Sequence, residues 1–182
     1  MSIIDTLITR NKDFAAHETL MPSLPAAMPA VKALIITCAD MRVDPAHVLG
    51  VESGEAIVLR NIGGRITPSL IEQIGLLGRI GQVAGAAPAG GDEFHIVLLQ
   101  HTDCGITRLA PDIALLAHFF QIPEGEVDSK KVLEPRKAVA MDVATLRSLP
   151  PLPVSWFISG LVYDVATGLV DVVVPPAPLR SE

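Results

Sequence analysis

Aromatic side chains are scarce in this chain, with Phe, Tyr and Trp making up only 4% of its 182 residues. Any core must therefore be built mainly from Ala, Val, Leu and Ile. Basic residues are also few, 14 Lys and Arg against 20 Asp and Glu, and the formal charge of −6 excludes the clustered cationic surface that nucleic-acid binding needs. Charged or polar residues interrupt every apolar run before it reaches the length of a membrane span. The opening stretch "MSIIDTLITRNKDF" mixes charges into its apolar positions and lacks the layout of a signal peptide, so the expected location is cytoplasmic. Cysteine is rarer still, with two residues. In a reducing compartment those two are thiolates or core residues rather than a disulfide. There is no internal repeat, no Cys-x-x-Cys pair, and no Walker or dinucleotide fingerprint.

What is present is a globular composition, 49% apolar and 19% charged, in a length that suits one domain with a real core. Residues 2–17 place Ile3, Ile4, Leu7, Ile8 and Phe14 at roughly helical spacing and read as an amphipathic helix. The segment 21–30 is too rich in proline for regular structure and reads as an extended arm, so residues 1–30 form an appendage to a domain over 31–182. Within that domain, 31–38, 55–61 and 94–100 are short, apolar, β-branched runs with the character of buried strands. Helices are expected over 67–85, opened by Thr67 as N-cap and Pro68 at the first helical position, and over 111–120 and 134–149. Residues 86–93 read as a flexible connector, and 154–174 as one or two closing strands around a hairpin at "ATG". Strands alternating with helices predict a single α/β domain with a mainly parallel central sheet flanked by helices, plus the N-terminal helical arm. In such sheets the functional crevice lies beyond the carboxyl ends of the strands.

Both cysteines fall at those ends. Cys38 closes the first strand, and His101 and Cys104 follow the last residue of the third. If the two strands are neighbours, two thiolates and an imidazole meet at one edge of the sheet. That donor set suits zinc, at about 2.3 Å to sulfur and about 2.0–2.1 Å to nitrogen, and three protein ligands leave one corner open, as in catalytic sites. Gly105 would free the backbone to curve into the next element. Asp40 and Arg42 follow Cys38 at two and four positions. The carboxylate can fill the fourth corner, or the guanidinium can hold it in a bidentate pair and leave that corner to water.

The segments "CADMR" (38–42) and "HTDCG" (101–105) resemble the paired signature of the beta-class carbonic anhydrases, Cys-x-Asp-x-Arg and His-x-x-Cys. The likeness extends to "GEAIVLRNIGG" (54–64) and "GLVYDVATG" (160–168), in the family's order, and the compact length resembles its short bacterial members. The resemblance implies zinc on Cys38, His101 and Cys104, with Asp40 on the metal only in a closed resting form and otherwise paired with Arg42 beside the metal-bound water. It implies reversible hydration of carbon dioxide to bicarbonate by zinc-bound hydroxide. A drop in the pKa of bound water from about 15.7 to about 7 is established for carbonic anhydrase with an all-histidine site. Two thiolates donate more charge and make the water less acidic, which the Asp40–Arg42 pair and a backbone donor near Gly105, on the substrate side, would partly offset. The resemblance also implies a homodimer or a dimer of dimers, with residues 1–30 free to embrace the partner or fold back on their own domain.

Two positions depart from the family pattern. Met41 stands where serine or alanine is common, which removes a hydroxyl and predicts tuning rather than loss, and Ile62 replaces a usual alanine. No proton shuttle announces itself. Taken singly, Cys38 is a core residue, Asp40 and Arg42 a surface ion pair, Asp103 a turn residue or a support behind the ligands rather than a ligand, and Asn61 with Gly63 and Gly64 a tight turn first and an anion nest second. Arg60 and Arg65 belong to the site or to a subunit contact. His17, His47, His95 and His118 have no matching partners, and Trp156 and Tyr163 suit a strand. Rival readings are a carbonyl sulfide or carbon disulfide hydrolase on the same scaffold, a non-catalytic zinc-binding regulatory protein, and a dithiol redox protein that would require Cys38 and Cys104 to bridge.

Overall fold

The computed structural model describes residues 2–84, 94–149, 152 and 156–179; the expected connector at 86–93 and the first two residues of the expected strand at 154 lie outside them. Five strands form one sheet in the order β2-β1-β3-β4-β5: β1 (Ala33–Cys38), β2 (Ala56–Asn61), β3 (His95–His101), β4 (Phe157–Tyr163) and β5 (Val170–Pro178). The first four are mutually parallel, and β5 returns antiparallel to β4. The chain leaves β1 toward β2 on one side and then crosses to β3 on the other. The gap between β1 and β3 is thus a topological switch point, where the connections diverge and open a crevice.

Helices cover both faces. α4 (Pro68–Val83) opens as its sequence dictates: the Thr67 hydroxyl accepts from the Leu70 N–H, and Pro68 occupies the first turn, where its missing N–H is harmless. With α6 (Pro135–Arg147) it packs on one sheet face, where Leu34, Ile36, Ile96, Leu98 and Ile158 meet Leu70, Ile74, Val139, Val143 and Leu146. α5 (Ile113–Phe120) covers the other face, with Ile35 and Leu99 against Leu116 and Phe120. Cys38 and Cys104 belong to this second cluster.

The arm differs from expectation. α1 (Ile3–His17) forms with a Ser2–Asp5 capping box, yet it buries no residue. Residues 21–30 are not extended: α2 (Leu24–Ala27) and a 3₁₀ turn at Met28–Ala30 occupy them. Pro25 and Pro29 lie in the first turns of these short pieces, the positions where proline preorganises a helix rather than breaking it. A further short helix, α3 (Pro45–Val48), follows Asp44, whose side chain caps it. Among the described residues no helix is long and apolar enough to cross a membrane.

Candidate metal centre

β1 and β3 run side by side, with Thr37 opposite Leu99, so their carboxyl ends deliver Cys38 and His101 to one place. Cys104 joins them through a tight turn. The residue in the left-handed region there is Asp103, at φ 50°, whereas Gly105 begins a 3₁₀ helix over Gly105–Leu109 without a positive φ. The expected role of Gly105 in freeing the backbone is therefore carried by Asp103, a residue type that tolerates this conformation better than most. One ligating atom from each of Cys38, His101 and Cys104 lies within 4.8 Å of the others, and all three side chains are buried. The sulfurs stand 3.6 Å apart. That is longer than a disulfide bond, and both cysteines are free thiols. It is close to the separation of about 3.8 Å that two sulfurs take on one tetrahedral zinc ion.

The imidazole is prepared in the same sense. Nδ1 of His101 donates to the Thr102 carbonyl oxygen at 2.9 Å, and Nε2 is buried without a hydrogen-bond partner. Fixing one ring nitrogen on a carbonyl orients the other, as outer partners do for metal-bound histidines. The thiols are polarised as a pair. A hydrogen bond from the Cys104 thiol drives Cys38 down to about 4 against the opposing effect of burial, helped by His101 and by the N–H groups of Asp40 and Gly63. Cys104 is pushed up by that same thiolate and by burial. Burial opposes a charge on His101, and the Cys38 thiolate outweighs it, so its pKa is raised. A cation held by these atoms would displace their protons. The donor set, the sulfur spacing and the orphaned Nε2 all fit a metal ion.

Asp40 flanks this cluster, with Oδ2 3.9 Å from His101 Nε2. Arg42 holds it in a bidentate grip, Nε to Oδ1 at 3.0 Å and Nη2 to Oδ2 at 2.7 Å, with the Arg42 peptide N–H adding a third bond at 2.9 Å. These bonds hold the Asp40 carboxyl well below the usual carboxylate range. Arg42 also reaches across to the second ligand loop, donating to the Asp103 carboxylate and to its carbonyl oxygen, both at 3.0 Å. Asp103 is thus both the turn residue that its position suggests and a clamp between the two motifs, with Arg108 on its other oxygen.

The two arginines left open by the sequence separate. Arg60 sits at the site: it donates to the carbonyl oxygens of Cys38 (2.9 Å) and Asp40 (2.7 Å) and pairs with Asp44. Arg65 is buried against Asp142 on α6. Asn61 closes the glycine turn reciprocally, accepting from the Arg65 N–H and donating to its carbonyl. Gly64, at φ +60°, lets this turn lie so close to β1 that an added Cβ would sit 2.8 Å from the Cys38 nitrogen. A cavity of about 350 Å³ adjoins the cluster, lined by Gly63, Arg65, Gln100, His101 and Cys104 among others. Met41 is 86% exposed and makes no part of the cluster. Of the other histidines, His95 stacks on Phe157, and Trp156 packs against Phe94.

Sequence reading missed Asp142 and Gln100. A signal existed for the first: Asp142 occupies an inward position of the stripe Ala138, Val139, Val143, Leu146, where a carboxylate needs a partner.

A mainly parallel α/β sheet with a buried Cys-His-Cys cluster at its switch point defines a protein with a metal-binding type of site built from a strand end and a neighbouring turn. A profile of the carbonic anhydrases matches residues 33–170, and the chain belongs to that family, in its beta class. It is similar to beta-carbonic anhydrase 1 of Mycobacterium tuberculosis, 29% identical across 96% of this chain and 100% of the relative. Among solved structures it is similar to carbonic anhydrase from Streptococcus mutans, with 30% identity, a TM-score of 0.66, and coverage of 95% of this chain and 98% of that one. It is also similar, at 25% identity over 90% of this chain and 85% of the relative, to a carbon disulfide hydrolase of Acidianus.

Proposed function

We propose that this protein is a zinc-dependent carbonic anhydrase that interconverts carbon dioxide and bicarbonate, with Cys38, His101 and Cys104 as the metal ligands. The observation that carries the reading is the buried cluster with its orphaned His101 Nε2, set beside a carboxylate that Arg42 grips through both oxygens. A bound zinc ion supplies Lewis acidity that makes water nucleophilic near neutral pH. The chain's own residues do the rest. His101 is oriented by Thr102, and the carboxylate of Asp40 stays ionised through Arg42, so it accepts a hydrogen bond from the attacking water and orients it. Arg42 holds Asp40 in place through both carboxylate oxygens, a grip that would have to open for Asp40 to serve as a further ligand in a closed resting form. The backbone at Gly105, next to Cys104, is assigned to the substrate oxygen. Arg60 and Asp103 keep the two ligand loops in place.

The partner we assign is a second copy of this chain, as a homodimer or a pair of dimers. α1 presents Ile4, Leu7 and Ile8, each at least half exposed, and buries none of them against its own domain. An amphipathic helix of this kind gains its stability by covering an apolar surface elsewhere. Two unpaired buried thiols suit a reducing compartment, and we assign the protein to the cytoplasm.

A second reading, carbon disulfide or carbonyl sulfide hydrolysis, draws on the Acidianus relative and on the linear shape these substrates share with carbon dioxide. Stopped-flow assays of the zinc-loaded protein with all three substrates decide between them. Hydration of carbon dioxide far ahead of the sulfur substrates is expected, and the reverse ranking would overturn the primary reading.

A further inference from the structure

Asp142 is fully buried on α6, an element that supplies none of the candidate ligands. Its carboxylate accepts from Arg65 Nε at 2.7 Å, from Gln100 Nε2 at 3.1 Å and from the Ile66 peptide N–H at 3.4 Å. The donors come from the two segments that build the cluster. Gln100 is the residue before His101 at the end of β3. Arg65 and Ile66 leave the glycine turn, whose Gly64 lies against the Cys38 backbone and whose Gly63 lies against Ile106, two residues beyond Cys104. Arg65 Nη2 also ties in the Lys130 carbonyl at 2.7 Å. The His101 strand end is thus joined to this buried anion through Gln100, and Cys38 and Cys104 through the glycine turn that Arg65 leaves.

A buried ion pair is poor value for stability alone, because desolvation consumes much of its attraction and an apolar pair of similar volume serves as well. Directed hydrogen bonds do something apolar packing does not: they fix the strand end and the turn at one point with set geometry. We propose that Asp142, acting through Arg65 and Gln100, is a positioning residue of the metal centre that holds the His101 strand end and the turn beneath Cys38 at ligating distance. This inference rests on the metal-binding reading above.

The test measures metal binding rather than catalysis. Gln100→Met keeps the volume and cuts only the link to β3, leaving the ion pair intact. Arg65→Met with Asp142→Leu replaces the pair by apolar side chains, so that no charge is left buried and alone. Circular dichroism and melting check folding. Zinc affinity by competition with a chelator, and the visible spectrum of the cobalt-loaded protein, read the centre. The expected result is folded variants whose zinc affinity falls about tenfold or more, with a cobalt band displaced from that of the parent. Folded variants with zinc affinity within about twofold of the parent and an unchanged cobalt spectrum would overturn the proposal. If the double variant does not fold, Gln100→Met decides by the same readouts. A parent protein that takes up neither metal brings down the metal reading, and this inference with it, which is a different result from variants that match a metal-binding parent.

Discussion

The Sγ atoms of Cys38 and Cys104 lie 3.6 Å apart, although the two residues are 66 positions apart in the chain. That proximity follows from the parallel pairing of β1 with β3, which brings two strand ends together at the point where the connections diverge. It leaves each sulfur with a distinct state in the metal-free protein, one thiolate and one thiol that donates to it.

Zinc content follows directly from this cluster. Protein purified without added zinc is expected to carry about one ion per chain, the capacity of a single three-ligand set. Cys104→Ala should carry almost none, by elemental analysis. Full zinc in that variant would show that the ligand assignment is wrong.

The pair also sets a pH dependence. Cys38 is lowered in the folded protein, so it contributes stability that is fully present above its unfolded pKa, near 8.5, and is lost as pH falls through about 4. The metal-free parent should therefore gain stability over metal-free Cys38→Ser as pH rises from about 4 toward 8. Urea melts of both proteins along that range measure the difference. A flat or declining difference would mean that Cys38 is not the thiolate.

Asp40 and Arg42 form the catalytic half of the proposal. Asp40→Asn keeps the shape but loses the ionised acceptor, so kcat/KM for hydration should fall by about 10²-fold while zinc content holds. Arg42→Ala should do similar damage, since it frees Asp40 and also uncouples the Asp103 turn. Stopped-flow hydration beside metal analysis separates a lost hydrogen-bond acceptor from a lost ion.

Gly64 is constrained twice, by a φ of +60° and by the 2.8 Å approach to the Cys38 nitrogen. Gly64→Ala should cost about 1–3 kcal/mol in a denaturant melt and weaken zinc binding as the Cys38 backbone gives way. Unchanged stability and affinity would show that the turn can retreat from β1 freely.

Self-association is tested on α1. Sedimentation should find the parent protein as a dimer or larger. Leu7→Asp with Ile8→Asp, both on a helix that buries none of its residues, should shift it toward monomer without unfolding the domain.

Much of this molecule is legible from local signals. Thr67 and Pro68 announce the start of α4 because a capping oxygen and a missing N–H act over one turn of chain. The strands at 33–38 and 95–101 are readable because burial demands nearly unbroken apolar runs, whereas 56–61, an edge strand with Val58 and Arg60 exposed, is readable from its short β-branched run alone. The candidate ligands are readable because Cys, His and Cys are rare types in a known order. The prolines of 21–30 mislead because proline is barred from helix interiors but welcome in first turns, and that difference lies in position rather than composition.

What the sequence by itself determined is the main strands and longer helices and the residue types carried at their ends, since both depend on near neighbours along the chain. Only the tertiary structure decided which distant residues contact the candidate ligand segments: Asp103 under Arg42, Arg60 on the Cys38 carbonyl, Asp142 on Gln100. Those contacts join positions 22 to 61 residues apart, and no local periodicity records them. A hydrogen bond between distant groups exists only once burial and sheet order have brought donor and acceptor within about 3 Å.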